Sequence, residues 1–556
     1  MILFLQKHHR VIFYSTWLLL ALAQSFSTEL IADEAYYWVY SRFPAWGYFD
    51  HPPMIAMLIK GGYAVFQSEL GVRLLCVLLS VFTISITESL TDRKNPFLFY
   101  TIVLSIGTLQ IAGFLAVPDT PLLFFTALFF YCYRHFLKNF SWSSALLLGF
   151  SVTLMFYTKY HALLIVILTL LSDWKLLARR QTWLAGFFVL LLFTPHLFWQ
   201  WQNDWVSFRY HLFESNVSVY RFSNTTEYLL GQLLVAGPLA GLILLPAVFL
   251  YKTKTGTERA LKFTIAGLYF FFLLSSARGK VEANWTMPVL IPLVVLSYQF
   301  LNIRTRWINP LRIIAFVSLL LIMAGRIYLV KDIGPDNAVK RRFQHNREWA
   351  LAIAEKTKNQ PVVFLNSYQR SSLFWFYSGN PSHSLNSWLE RKNNYNFWPT
   401  EKNLLGKPVF IADIYNVSQY PDSVYTKKGW VGIAADSLFS SLSEIKIIPG
   451  QKLIEIAGKN NFLLRCRSVL PDQYLLFLNQ HPGLKTKLLA GVFNGKKLIR
   501  EMGTGITAQQ LSTMPGFEVY LNFESILPGK YDLRFAIRSN GYPPAHNSAN
   551  ITLLIH

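Results

Sequence analysis

Cysteine is nearly missing from this chain: Cys76, Cys132 and Cys466 are the only three in 556 residues. Two of them lie inside hydrophobic runs and Cys466 stands alone, which excludes a disulfide framework and a Cys/His zinc pattern. Charge is scarce too, at 15% of residues, where a soluble globular domain carries about 25%. Acids are the rarer sign, 30 Asp and Glu against 52 Lys and Arg. There is no Walker A loop, no GxGxxG following a strand and no GxSxG elbow, so a nucleotide-driven mechanism has no footing. The net charge of +22 comes without any RRM-, KH- or helix-turn-helix-like pattern, which argues against nucleic acid as a partner. Internal repeats and low-complexity tracts are also lacking.

What is present is apolar. Hydrophobic residues make up 53% of the chain, with 16 Trp and 28 Tyr of the kind that populate membrane-interface belts. Runs long enough to cross a bilayer, at about 17–25 residues each, recur until about residue 330. They fall near 10–26, 70–90, 96–116, 120–137, 142–158, 160–173, 181–200, 228–250, 261–277, 285–302 and 309–330. The first has no clear small-residue cleavage site and reads as a retained helix. With Lys7 to Arg10 on the cytoplasmic side, the inner loops hold about 16 Lys and Arg against about 7 in the short outer loops. The basic loops then face anionic lipid, and the membrane is itself a partner. The expected fold is a polytopic α-helical membrane protein of about 11 spans, with an extracytoplasmic C-terminal region.

Beyond Val330 the composition turns soluble. Gln360 to Leu365 and Lys407 to Ala412 read as short buried strands, and Ser367 to Tyr377 between them reads as a helix. The expected division is a membrane domain over 1–330, an α/β domain over 331–460 and a β-sandwich-like domain over 461–556. In the last, strands are expected at Tyr474 to Leu478, Lys487 to Phe493, Phe517 to Phe523, Tyr531 to Ile537 and Ile551 to Ile555. Asn494-Gly495 and Pro528-Gly529 supply turns.

Against this apolar background, acids at the outer membrane edge stand out, because carboxylates beside a bilayer are costly unless they meet water or a ligand. Asp33-Glu34 precedes Tyr36, Tyr37, Trp38 and Tyr40, a segment expected to lie amphipathically on the membrane surface. The pair is either a solvated helix start or an acid held at headgroup height, where it can act as general base. Asp50-His51 is followed by Pro52-Pro53, which stiffen its presentation. It is an ordinary turn, a phosphate contact or, more weakly, a pair of ligands for a divalent metal. Asp119, in Pro118-Asp119-Thr120-Pro121, either caps a helix or supports the site. Lys159, beside Tyr160, and Arg278 with Lys280 run against the orientation bias; they either snorkel or bind the phosphate of a lipid-linked substrate. The aromatic stretch Pro195 to His211 suits a sugar or lipid portal, and equally an interfacial belt.

Taken in order, Asp33-Glu34-Ala35-Tyr36-Tyr37, Tyr48-Phe49-Asp50-His51-Pro52-Pro53, Pro118-Asp119-Thr120-Pro121, Lys159-Tyr160 and Lys280-Val281-Glu282-Ala283-Asn284-Trp285 resemble the protein O-mannosyltransferase-like (GT-C) glycosyltransferases. The likeness is to their bacterial branch, which modifies lipid A and lipopolysaccharide. The resemblance covers about 1–330. It implies transfer of one sugar from a polyprenyl phosphate to an acceptor on the outer face of the bacterial inner membrane. The acceptor would be lipid A or lipopolysaccharide, a cell-surface glycan or a protein, with or without a divalent metal. By that likeness Asp33 is the base, Asp119 the supporting acid and Glu34 their neighbour. Tyr36, Tyr37, Asp50, His51, Lys159, Tyr160, Arg278, Lys280, Asn284 and Trp285 would bind substrate. One position departs from the aminoarabinose transferases, which carry Glu-Lys before the two prolines where this chain has Asp50-His51. A transporter of lipid-linked sugars is the first rival reading, and it would want charges near mid-membrane, not at one edge. A membrane scaffold that binds glycan is the second.

Overall fold

The first apolar run folds as α1 (Ile2–Ser27), and the Asp33 segment as α2 (Ala32–Arg42), turned 88° away from it. Thr28 closes α1, its hydroxyl donating to the Gln24 carbonyl at 2.7 Å. Glu34 opens α2 by accepting from the Ile31 amide at 3.1 Å. The segment is helical, but it does not lie open on a surface. Ala35, Tyr36, Trp38, Val39 and Tyr40 are all buried, because a helix not foreseen in the sequence, α3 (Met54–Val65), packs against it. Next comes α4 (Glu69–Leu90). Glycine makes the α3–α4 hairpin possible: a Cβ on Gly71 would lie 1.7 Å from the Phe66 carbonyl oxygen, and one on Gly62 would lie 2.3 Å from that of Gly71.

This computed structural model describes residues 2–214, 220–456 and 461–556. The chain divides into two units, Met1–Gln344 and His345–His556. In the first, α5 (Pro96–Ser105) and α6 (Gly107–Ala112) replace one expected span, breaking at Ile106. Then follow α7 (Asp119–Asn139), α8 (Trp142–Phe156), α9 (Ala162–Ser172), α10 (Arg180–Gln202) and the single turn α11 (Val206–Arg209). The expected span 228–250 is likewise split into α12 (Phe222–Val235) and α13 (Gly241–Leu250), at Gly237 with φ +94° and the following Pro238. The unit continues with α14 (Gly256–Ser276), α15 (Leu290–Ile303), α16 (Ile308–Val330) and α17 (Ala338–Phe343).

Among the described residues five helices are long and apolar enough to cross a membrane, or six if α1 and α2 count as one bent span. Helices occur at each expected span position. The sequence count of about eleven is reached only by adding shorter apolar helices such as α5, α8 and α9. Proline and glycine punctuation explains the breaks, since it interrupts the backbone ladder without lowering hydropathy.

The second unit starts with α18 (Asn346–Lys356), β1 (Val362–Leu365), α19 (Tyr368–Ser378) and β2 (Ser382–Leu385). With β3 (Val409–Asp413), β4 (Asp422–Thr426) and β5 (Gly429–Asp436) these strands form a sheet of order β2-β1-β3-β5-β4, parallel from β2 to β3 and antiparallel beyond. Two further sheets share one apolar core. One has order β11-β8-β6 and the other β10-β9-β12-β13-β7, built from β6 (Lys446–Pro449), β7 (Leu453–Ile456), β8 (Asn461–Val469), β9 (Thr486–Asn494), β10 (Lys497–Gly503), β11 (Gly516–Asn522), β12 (Gly529–Ser539) and β13 (Ile551–Ile555).

Two sequence expectations need correction. The sandwich begins before residue 461, since β6 pairs with β8 and β7 with β13; the expected boundary adjoins residues 457–460, outside the described residues. Tyr474 to Leu478 is not a strand but the middle of α20 (Asp472–Gln480). Its apolar run has helical spacing, with Tyr474, Phe477 and Leu478 buried on one face. The last helix, α21 (Ala508–Thr513), is held by a Thr507–Gln510 capping box.

Candidate active site

Glu34 and Arg73 tie the site together from below. Arg73 Nε donates to Glu34 Oε1 at 2.7 Å and its Nη2 to Oε2 at 2.5 Å, with both side chains wholly buried. The remaining guanidinium donors reach the carbonyls of Ser25, Thr28 and Glu29 at 2.8–3.2 Å, across the break between α1 and α2. The carboxylate also accepts from the Ala116 amide at 2.9 Å, just ahead of Asp119. Every lone-pair direction of Glu34 is thus engaged, which suits a structural knot. Asp33, one residue earlier on the first turn of α2, is only half-buried.

Asp119 is the first residue of α7 and is buried. Lys159 Nζ donates to its Oδ1 at 2.8 Å and Asn284 Nδ2 to its Oδ2 at 3.0 Å. Three segments far apart in sequence therefore meet on one carboxylate. The Lys159 ammonium is itself buried against Asp119, so its charge is directed inward to that acid.

Asp50 and His51 project from the loop between α2 and α3. Asp50 Oδ2 accepts from the Tyr36 and Tyr40 hydroxyls at 3.1 and 3.2 Å, and the His51 Nε2 lies 3.2 Å from the Tyr37 hydroxyl. His211 Nε2 donates to the Asp50 carbonyl at 2.9 Å. The same loop is pinned to α10: His196 Nδ1 lies 2.7 Å from the Trp46 carbonyl. A carbonyl can only accept, so His196 carries its proton on Nδ1, and its Nε2 accepts from Tyr160 at 3.2 Å. Gln200 Nε2 donates to the same Tyr160 oxygen at 3.0 Å. Gly47 is required here, because a Cβ would lie 2.4 Å from the Trp199 ring. Finally, the Met54 amide donates to the Tyr157 carbonyl at 3.0 Å, joining the Asp50-His51 loop to the Lys159-Tyr160 loop.

Two of the expected cations are not bonded into this cluster. Lys280 pairs with Glu282 at 3.1 Å on an exposed loop, and Arg278 is exposed beside it. Trp285 packs against both the His161 and Phe272 rings, with centroids at 5.7 and 5.9 Å. Among the described residues no group of three or more His, Cys, Asp and Glu side chains converges as metal ligands. Asp50 and His51 would supply two of the ligands that a divalent ion takes, the rest coming from water or a substrate phosphate. Sequence reasoning missed Arg73. Its signal was an arginine inside an apolar run, which demands a buried partner.

Residues 50–199 match the family model described as dolichyl-phosphate-mannose-protein mannosyltransferase. The chain is also 23% identical over 420 residues to the lipid A galacturonosyltransferase RgtD of Rhizobium johnstonii, over 70% of this chain and 86% of that protein. This chain is a membrane glycosyltransferase, similar to those of the GT-C class. Its fold is similar to that of ArnT from Cupriavidus metallidurans in the apo state, at TM-score 0.58 and 15% identity, over 77% of this chain and 98% of that one. The same enzyme bound to undecaprenyl phosphate matches at TM-score 0.56 and 15% identity, over 78% and 98%. The family-matched segment of this glycosyltransferase holds Asp50, His51, Asp119, Lys159 and Tyr160. Asn284 lies outside it and reaches Asp119 through the fold, and Asp33 also lies outside it, next to Glu34 on α2.

Proposed function

We propose that this glycosyltransferase moves a single sugar from a polyprenyl phosphate to a lipid A-type acceptor on the periplasmic face of the inner membrane, with the second unit also periplasmic. The observation that carries this reading is the Glu34–Arg73 knot. One buried carboxylate holds both the helix turn that bears Asp33 and, through the Ala116 amide, the segment that bears Asp119. The likeness to RgtD, whose name specifies lipid A, supports the acceptor class. The solved complex of ArnT with undecaprenyl phosphate supports the donor class.

In this reading the anomeric carbon–oxygen bond to the donor phosphate breaks as the acceptor oxygen attacks, and Asp33 takes the acceptor's hydroxyl proton. A general base of this kind contributes roughly 10²–10⁴-fold, given approach within about 3 Å. Phosphate leaves with its charge met by cations; exposed Arg278 takes that role, joined by Lys280 when it exchanges Glu282 for the phosphate. Lys159 acts through Asp119, holding its carboxylate oriented at the start of α7. Asp50 is fixed by Tyr36 and Tyr40, and His51 by Tyr37, so the aromatic helix α2 sets the walls of the substrate site.

The test is to supply the protein in proteoliposomes with labelled polyprenyl-phosphate sugar and, as competing acceptors, lipid A, a soluble glycan and a soluble protein. Label on lipid A is the expected result. Label recovered only on a soluble glycan or protein would overturn the acceptor class. Label crossing a bilayer unattached to any acceptor would favour the transporter reading instead.

A further inference from the structure

The second unit exposes an aromatic pair that its own fold leaves uncovered. In the β4–β5 hairpin Tyr425 stands directly opposite Trp430, with ring centroids 4.9 Å apart and planes at 51°. Tyr425 is 66% exposed and Trp430 56%. The strands close through Lys427-Lys428: the Lys428 amide donates to Thr426 Oγ1 at 3.1 Å, and Gly429 adopts φ +101°. β4 is the edge strand of its sheet. Asp422, at the start of the hairpin, has its charge met by Lys356 at 2.7 Å, and the tip itself carries two lysines and no acid.

We propose that this hairpin is a membrane-surface anchor that docks the second unit on anionic lipid headgroups. Tyr and Trp with one apolar and one wet end partition to the bilayer interface. Lysines beside them are drawn to anionic headgroups. A stacking platform for a sugar would need coplanar rings; here the two planes stand at 51°. Chain connectivity adds a second argument. α16 ends at Val330 and the unit starts at His345, so the short segment 331–344 keeps the hairpin at high effective concentration near the bilayer.

The test uses full-length protein in nanodiscs, with Ser423→Cys carrying an environment-sensitive fluorophore; Cys76, Cys132 and Cys466 are buried and escape labelling. In discs containing phosphatidylglycerol the emission should brighten and shift to the blue relative to phosphatidylcholine discs. Each of Lys427→Glu and Lys428→Glu should weaken docking by roughly fivefold or more, and Trp430→Ser should reduce it in both lipids. Hydrogen exchange of residues 422–430 in unlabelled protein, slower in anionic discs, is the second readout should the label perturb the hairpin. Identical water-like emission and exchange in both lipids would overturn the proposal. A shift that appears only on adding a soluble glycan would overturn it too, and would assign the pair to sugar binding.

Discussion

Asp33 and Glu34 are neighbours on α2, and the oxygens of Glu34 are fully engaged. Glu34 is saturated by Arg73 and by the Ile31 and Ala116 amides, leaving nothing to offer a substrate. Removing one partner from a buried ion pair typically costs about 3–5 kcal/mol, because the other charge stays buried and uncompensated. Glu34→Gln is therefore expected to lower the thermal midpoint of the detergent-solubilised protein sharply, through the guanidinium of Arg73. Activity per folded molecule should fall far less than in Asp33→Asn. Equal midpoints for wild type and Glu34→Gln would remove the knot from the account. The carboxylate of Asp119 shows a third arrangement, neutralised by Lys159 and aimed by Asn284.

At the scale of elements, the site depends on two close approaches. The first is the α3–α4 hairpin, where Gly71 faces the Phe66 carbonyl with no room for a methyl group. Gly71→Ala is expected to displace α3, and with it the Asp50-His51 loop, at a cost of about 1–3 kcal/mol or more. A thermal midpoint and transfer rate unchanged in this variant would contradict that packing. The second is Phe114, which lies under both the Arg73 and Arg326 guanidinium groups at 5.8 and 5.7 Å from its ring centroid. Arg326 Nη1 also reaches the Leu20 carbonyl at 3.3 Å. The last span is thereby fastened to the segment that leads into Asp119.

Much of this was legible in the sequence, for identifiable reasons. Helices stand where hydropathy put them, and Val362–Leu365, Tyr368–Ser378 and Val409–Asp413 lie within a few residues of their expected places. Asn494-Gly495 sits at the β9–β10 turn. The breaks inside α5–α6 and α12–α13 escaped because apolar content continues through them. The Arg73–Glu34 pairing spans 39 positions and no local pattern encodes it. The Tyr474 helix was hidden because a short apolar run fits either period.

For the molecule as a whole, buried ionisable groups are handled in two ways. The membrane unit pairs its buried charges, as Glu34 with Arg73 and Asp119 with Lys159. The second unit buries neutral imidazoles: burial depresses His383 and His546 to about 3. Their folded values lie below the unfolded one, so the unfolded state binds more protons between them. Stability is present at neutral pH and is lost as pH falls from the ordinary imidazole range toward 3. Glu401, raised by burial, opposes this only near the carboxylate range. Thermal unfolding at stepped pH should show that loss, and His383→Gln with His546→Gln should flatten it. An unchanged pH slope in the double variant would contradict the assignment.

The central claim is that Asp33 performs general-base chemistry in a sugar transfer at the membrane edge. The most direct measurement is single-turnover transfer of labelled sugar from polyprenyl phosphate to lipid A in proteoliposomes, comparing wild type with Asp33→Asn at matched thermal midpoints. The account predicts transfer by the wild type and a loss of about 10²-fold or more in the variant. Transfer at the wild-type rate by Asp33→Asn, or by neither protein, would contradict it.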